Sequence, residues 1–580
     1  MDTALGTERS TPQRPLSTLS GHTAQGDAHS LPKGSHNPSS ASFQIETEKP
    51  DGLVTANNTA SSGDEDQTEY PGKFALAFII VALILSIFLI ALDMTIVATA
   101  IPTITAQFKS LDQVGWYGSA FFLTVASFQS TWGKAFKYFP LKTVFMLAIF
   151  VFEIGSLICA VANNSTTLIV GRAIAGAGAS GLTGGVYTII GFSVPPQQRP
   201  AFTGILGATY GVASAIGPLL GGVFTDKVSW RWCFYINLPV GAISAAIIFF
   251  FFTAPPASRP VKARLSEKLL QMDLVGTFTI MAAVISFLLA MQWGGTTKKW
   301  SDSDVIGTLV AFGLLVIVFI VNEWWMGDRA LLPPRLFKTY NIMISSIYIF
   351  FFAGPFFVLI YYLPIYFQSI KHTSASDSGI RNLPFVLAVS IFSTVSGGLI
   401  ATFGHLSYLM VLGSVILTIG SGLVYTFDIS TPAGTWIGYQ LLAGIGGGVA
   451  LQIPVIVSQA LAKPEDLSSA TAMILFLQTM GAAIWVSAAQ TAFVNRLLLK
   501  LPQLAPNVNP ALVIRTGASE LHKVFSGKDL EGVITAYGDG LKVTFILCIA
   551  LAGISVLAAV CIKPLNLNKL QEKKSEAGDA

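Results

Sequence analysis

Phe74-Ala-Leu-Ala-Phe-Ile-Ile-Val-Ala-Leu-Ile-Leu-Ser-Ile-Phe-Leu-Ile-Ala-Leu92 is nineteen residues long, and only Ser86 interrupts it. A bilayer core about 30 Å thick needs roughly 20 apolar residues at 1.5 Å per residue. The stretch therefore reads as a membrane-spanning helix, near 74–97, rather than as a buried helix of a soluble core. Working outward, further spans are expected near 114–135, 142–162, 167–193, 202–224, 233–253, 273–293 and 304–325. The last six fall near 341–368, 380–402, 406–427, 434–460, 469–494 and 541–562, which makes fourteen. Those around 114 and 469 are the most diluted by Ser, Thr and Gln, as suits helices that line a polar cavity.

Composition agrees. Of 580 residues, 52% are hydrophobic and 11% charged, where a soluble domain carries roughly 25% charged. The net charge of +4 comes with no basic stripe interleaved with aromatics, so no nucleic-acid partner is expected. Cys159, Cys233, Cys548 and Cys561 sit in or beside apolar runs and read as small buried hydrophobes, not as disulfides or metal ligands. The six histidines (His22, His29, His36, His372, His405, His522) are scattered through tail and loops. There is no phosphate-binding Gly-x-x-x-x-Gly-Lys-Ser/Thr pattern and no His-Glu-x-x-His. The expectation is no enzyme, no cofactor, no metal and no ATP, with an ion gradient as the energy source.

Residues 1–72 are rich in Ser, Thr, Gly, Pro, Asn and Gln and cannot bury enough surface to offset ordering entropy. They read as a disordered, solvated cytosolic tail, with a regulatory or sorting role as the alternative. No cleavable signal peptide is expected, because this polar stretch precedes the first apolar run. Orientation follows from lysine and arginine in the short loops. With both termini in the cytosol, the inner side receives Lys134, Lys137, Lys142, Arg199, Arg259, Lys262, Arg264, Lys268, Arg329, Arg335, Lys338, Lys463 and the lysines from Lys563 to Lys574. The outer side holds fewer, mainly Lys109, Lys227, Lys298, Lys299 and Lys371.

An internal repeat points to two halves. Ala175-Gly176-Ala177-Gly178 resembles Ala443-Gly444-Ile445-Gly446 at an offset of 268, and Gly133 matches Gly397 at 264. Such repeats mark secondary transporters, with the site between the halves near the midplane. The expected organisation is a six-helix bundle at 73–258, a linker with two extra spans at 259–338, a second six-helix bundle at 339–564 with a long outside loop at 496–540, and a cytosolic tail at 565–580.

Few ionisable groups fall inside the spans. Asp93, Glu153 and Arg172 all lie about 10–15 Å below the outer surface by helical rise. An unpaired charge there costs at least about 3 kcal/mol, so a pair or a wet cavity is expected. The bland reading is an ion pair that fastens the first half; the sharper one is proton or substrate-cation coupling. Gln440 stands where the repeat places Arg172, and Gln440, Gln452, Gln478 and Gln490 are neutral candidates for the substrate cavity. Glu323, near the inner end of its span, is expected to face headgroups. In the fifth span, Gly207, Gly211, Gly217, Pro218, Gly221 and Gly222 place small residues at i,i+4 around a proline. They offer either tight helix packing or a hinge.

Leu92-Asp93-Met94-Thr95-Ile96-Val97-Ala98-Thr99-Ala100-Ile101-Pro102 resembles the first-helix motif of the fourteen-span drug:proton antiporters of the major facilitator superfamily. Gly171-Arg172-Ala173-Ile174-Ala175-Gly176-Ala177-Gly178 resembles their fourth-helix motif, and Gly217-Pro218-Leu219-Leu220-Gly221-Gly222 their antiporter motif. Trp230-Arg231-Trp232-Cys233-Phe234-Tyr235-Ile236-Asn237-Leu238-Pro239 is similar to their entry into the sixth helix. Gln452-Ile453-Pro454 with Gln459 is similar to the twelfth helix of fungal members that export toxins and secondary metabolites. The resemblance spans Lys73 to Pro564. It implies an all-α major facilitator fold of two six-helix bundles plus two inserted helices, with Asp93 and Arg172 in proton coupling and Gly217 and Pro218 in the antiport cycle. In one departure, Gly133-Lys134-Ala135-Phe136-Lys137 carries Lys137 near the place where the family's loop usually has an aspartate, which puts the usual inner lock in question.

The expected function is proton-coupled export of a hydrophobic or amphipathic small molecule, a fungal toxin, secondary metabolite or drug, by alternating access. An importer or vacuolar exchanger of amino acids or siderophores is the rival, and a transport-dead membrane sensor a third reading. The partners are the small molecule, protons and the lipid bilayer. The plasma membrane is the expected location, the vacuolar membrane the alternative. Asn57, Asn163 and Asn164 head glycosylation sequons, the first in the cytosolic tail and the others in a loop too near the membrane for use.

Overall fold

The computed structural model describes residues 70–108, 114–518 and 520–578. The tail expected at 1–72, but for its last three residues, lies outside that range, as do Asn57 and Lys109. Fourteen long helices follow one another: α1 (Lys73–Phe108), α2 (Val114–Tyr138), α3 (Leu141–Ala160), α4 (Ser165–Ser193), α5 (Arg199–Lys227), α6 (Asn237–Phe251), α7 (Leu274–Trp293) and α8 (Ser303–Met326). The second half comprises α9 (Tyr340–Ser369), α10 (Ala375–Phe403), α11 (Leu406–Tyr425), α12 (Ala433–Ala450), α13 (Leu467–Leu504) and α14 (Gly527–Cys561). Helix α12 breaks at Leu451 and Gln452 and resumes as Ile453–Leu461. Pro454 explains the break, since it has no N–H to offer the Ala450 carbonyl one turn back.

Thirteen of these segments are long and apolar enough to cross a membrane by length and composition. The remaining one, α2, is 25 residues long but carries Ser, Thr, Gln and two lysines. It packs against α4 on one side and α13 on the other, so much of its surface meets protein rather than lipid. At the other end of the chain, α13 runs to Leu504 and α14 starts at Gly527, with short helices at Pro510–Arg515 and Leu521–Val524 between. The polar stretch at 496–540 is thus largely helical, because its polar residues sit on helix extensions beyond the apolar part. In the loop before α4, Asn164 accepts a hydrogen bond from the Thr167 N–H at 2.8 Å and caps the helix.

Helices α1 to α6 pack among themselves, as do α9 to α14; α7 and α8 pair with each other, and α7 lies on α2 and α13. Asp273 holds that pair together. It caps α7 through the Gly276 N–H at 2.9 Å and accepts from Asn322 of α8 at 3.1 and 3.2 Å. Glu323 does not face headgroups: it is buried and accepts the Leu332 N–H at 2.7 Å. The chain turns back beneath α8 there, and this carboxylate satisfies a backbone donor in the turn.

The repeat read from the glycine tetrads is realised contact by contact. A Cβ at Gly176 would stand under 3.0 Å from the Phe121 carbonyl oxygen, and one at Gly444 under 3.0 Å from that of Phe385. Likewise Gly178 abuts the backbone nitrogen of Phe152, and Gly446 that of Leu417. Both pairs let helix backbones touch, which supplies packing where no hydrophobic force acts between helices. Gly446→Ala is therefore expected to destabilise the protein by about 1–3 kcal/mol, seen as a lower melting temperature of the purified chain. An unchanged melt would contradict the backbone contact.

The two halves meet along α5 with α10 and α2 with α13. Ser393 donates to the Gly204 carbonyl at 3.2 Å, Gly397 abuts Pro200, Gly133 abuts Ala472, and Gly191 abuts Leu467. These contacts lie toward the face where both ends of the described chain converge, since Tyr70, Arg199 and Leu567 line one crevice there. On that face the halves are sealed.

Candidate functional site

Three features converge between and within the halves: a buried ion pair, a neutral cavity and a charged latch. The ion pair comes first. Asp93 of α1 is 0% exposed and Arg172 of α4 is 1% exposed, and the Arg172 guanidinium donates to the Asp93 carboxylate. Arg172 Nε also donates to the Tyr117 carbonyl at 2.9 Å, and the guanidinium lies 4.3 Å from the Phe121 ring centroid. The second Asp93 oxygen accepts from Asn237 Nδ2 at 3.0 Å, and that same nitrogen lies 3.1 Å from the Ser156 hydroxyl. Both charges are thus compensated by hydrogen bonds as well as by each other, which an intramembrane pair requires.

Glu153, expected beside this pair, sits on α3 against Gly241 of α6. Its two carboxylate oxygens are buried and have no hydrogen-bond partner among the described residues. Asn237, by contrast, carries no sequence signal of its contact with Asp93, although it lies in the Trp230–Pro239 motif. Its amide gives no hint of function until the short helix Trp232–Tyr235 turns the chain and delivers it to Asp93.

Gln440 repeats the Arg172 contact in the second half. It donates to the Arg381 carbonyl at 3.1 Å, and the offsets, 268 for Arg172 to Gln440 and 264 for Tyr117 to Arg381, are those of the sequence repeat. Gln440 is fully buried there and does not line the cavity, a correction to its expected place. Gln490 faces a separate crevice with Trp116 and Leu288.

Gln452 and Gln478 do line a central cavity, together with Phe122, Tyr210, Phe356 and Phe357 among others. The space measures about 810 Å³, open solvent at its mouth included. The α12 break places Gln452 here. Tyr187 of α4 donates its hydroxyl to Gln452 Oε1 at 3.0 Å, and Gln459 donates to the Tyr187 carbonyl at 3.0 Å. Part of the wall is aromatic: Tyr210 packs edge-on to Phe357 at 6.4 Å between centroids and donates to Met94 Sδ at 3.3 Å. Met94 adjoins Asp93 in sequence, so one turn of α1 carries the ion pair on one side and cavity wall on the other. Of the α5 glycines, Gly217 and Gly221 lie against Thr95 and Ile96 of α1, Gly211 lies against Ser390 of α10, and Gly222 faces open space. Pro218 lies within α5.

On the sealed face, Asp466 accepts from Lys137 at 2.7 Å and from Arg335 at 2.6 and 3.0 Å. Lys137 belongs to the first half, Asp466 to the second and Arg335 to the linker. Arg335 also bonds Asp328 at 3.0 Å, and Lys134 donates to the Asp328 carbonyl at 2.6 Å. Burial alone would raise the Asp466 pKa, but the hydrogen bonds from Arg335 and Lys137 outweigh it and hold the carboxyl below its usual value. A depressed value means the latch is intact above the ordinary aspartate range, about pH 4, and lost only as pH falls through the lower folded value. Lys137, whose presence put the inner lock in question, is thus one of its arms.

Residues 83–486 match the Major Facilitator Superfamily. The chain is similar to the MFS-type transporter grgE of a Penicillium species, 50% identical over 86% of this chain and 88% of that one. The MFS-type efflux pump MFS1 of Arthroderma benhamiae is 43% identical, covering 89% of this chain and 96% of the relative. Among solved structures, the proton:xylose symporter XylE aligns with a TM-score of 0.57 at 12% identity, covering 86% of this chain and 99% of XylE. Two six-helix halves, a repeat that recurs contact by contact, and these similarities lead to one statement: the chain belongs to the Major Facilitator Superfamily.

Proposed function

We propose that this protein is a proton-coupled exporter of hydrophobic or amphipathic small molecules, of the kind fungi make as toxins or secondary metabolites. The observation that supports it best is the buried Asp93–Arg172 pair, separated from a neutral cavity only by the thickness of α1. Protonation of Asp93 cancels the charge that Arg172 and Asn237 hold, which loosens α1 from α4 and α6. Deprotonation restores the bond and draws them together. Because Met94 and the neighbouring turn of α1 face the cavity, that movement reshapes the substrate site, so proton and substrate need not touch. Glu153, whose carboxyl has no hydrogen-bond partner among the described residues, is a second proton carrier along α3. The names of the relatives, efflux pumps among them, favour export. The lysine-rich face where both ends of the described residues lie is assigned to the cytosol, and the plasma membrane is the proposed location.

The test uses cells that express the full chain and are loaded with a hydrophobic dye. Export should stop when a protonophore collapses the gradient and persist when ATP is depleted under an imposed acid-outside gradient. Export that follows ATP instead would overturn the proposal. In the same cells Pro218→Leu, which crowds α5 and restores the backbone donor, is expected to lower turnover several-fold while leaving half-saturation within about twofold. Weakened binding at unchanged turnover would contradict a role for Pro218 in the cycle.

A further inference from the structure

The cavity carries no formal charge. None of its described lining residues is acidic, basic or a histidine, and the carboxylate of Asp93, next in sequence to the lining residue Met94, is fully buried. Its polar groups are neutral and few. Thr183 and Thr479 spend their hydroxyl protons on the carbonyls of Ala179 and Leu475, each at 2.9 Å, and so offer the cavity lone pairs only. Gln452 accepts from Tyr187 through Oε1, which leaves its amide N–H₂, packed beside Gly207 at the cavity wall, with no hydrogen-bond partner among the described residues. Gln478 makes no hydrogen bond among the described residues and can offer both donor and acceptor. The remaining wall is largely aromatic and aliphatic.

We infer that the substrate is an uncharged, flat aromatic molecule that carries a carbonyl acceptor for the amides of Gln452 and Gln478 and packs against the mutually perpendicular rings of Tyr210 and Phe357, face-on to one and edge-on to the other. This rests on the transport reading above and narrows it. The rival occupant is an organic cation held by the aromatic rings. A desolvated cation–π contact recovers only part of what it costs to remove an ion from water without a counter-charge. The balance therefore goes against the cation. An anion finds no lysine or arginine among the described lining residues. The neutral amides, by contrast, bury cheaply only when paired, and a substrate carbonyl completes them.

Nile red and Nile blue test this directly. They share one fused ring system, but the first ends in a carbonyl and is uncharged, whereas the second ends in an iminium and is a cation at neutral pH. Binding is read from the shift in melting temperature of the full chain in nanodiscs, at several dye concentrations and without any proton gradient. Nile red should stabilise the chain at concentrations at least roughly tenfold lower than Nile blue. Gln478→Leu, which breaks no bond within the protein, should weaken Nile red roughly tenfold, the cost of one lost hydrogen bond to a buried group. Gln452→Leu should do the same, and its apo melting temperature reports any separate damage to the Tyr187 contact. Equal or tighter binding of Nile blue, no binding of Nile red, or Nile red affinity unchanged in both variants would overturn the assignment. Loss of gradient-driven export with Nile red binding intact would instead overturn the proposed function and leave the cavity assignment standing.

Discussion

Asp93→Asn is expected to abolish gradient-driven export of Nile red, bringing retention in expressing cells to the level of cells without the protein. The substitution keeps the shape of the side chain but removes the charge that Arg172 holds and the proton that is exchanged. It also leaves the Arg172 guanidinium buried with only the Tyr117 carbonyl, the aromatic faces and an amide oxygen for company. Breaking a buried pair from one side costs about 3–5 kcal/mol, so the single variant should melt at a lower temperature. The double variant Asp93→Asn with Arg172→Gln removes the orphaned charge and should recover most of that loss. Neither variant should recover coupling. If the double variant melts like wild type and still exports against a gradient, the pair is a fastening and nothing more.

The second large effect concerns the latch. Asp466→Ala should release Lys137 of the first half and leave Arg335 of the linker with Asp328 alone, because both bond the Asp466 carboxylate. Arg335 is 42% exposed, so solvent already carries part of its charge. The loss is about 2 kcal/mol, roughly thirtyfold in the ratio of sealed to open forms on that face. A cysteine introduced at Ser468, which is buried against Gly133 on α2, should react with a membrane-impermeant maleimide at least several-fold faster in the Asp466→Ala background. Equal rates would show that the glycine contacts between α5 and α10 hold the face shut without the latch.

The parts of this molecule that were legible in sequence are those where one physical demand acts alone. Apolar length marks the fourteen spans, thirteen of them long and apolar enough on that ground alone, because lipid imposes it on each helix separately. Helix α2 was harder, since its polar residues answer to protein neighbours rather than to lipid. The glycine tetrads announce the repeat because a backbone contact tolerates no side chain, and Gly176 and Gly444 meet equivalent carbonyls, of Phe121 and Phe385, in the two halves. Asp93 and Arg172 were likewise visible, because two opposite charges inside a membrane must find each other.

What stayed hidden depends on direction around a helix. Gln440 and Gln452 are twelve residues apart on one span, yet one satisfies a backbone carbonyl and the other opens onto the cavity. The break that turns Gln452 inward is local to Pro454, and periodicity through a continuous helix misplaces everything beyond it. Tyr187 and Tyr210 look like any aromatic residue of an apolar run until a partner claims their hydroxyls. Asp466 sits at the mouth of α13 among Lys463, Pro464 and Glu465, where a charge reads as a solvated loop. Only the approach of Lys137 and Arg335 from two distant parts of the chain makes it a latch.

The most direct test of the export reading compares small molecules in cells and in medium, by mass spectrometry, for the source organism with and without this gene. Export predicts a compound, uncharged and aromatic by the cavity argument, that falls in the medium and rises in the cells when the gene is removed. A compound that falls in the cells and stays in the medium would mean import and contradict the account.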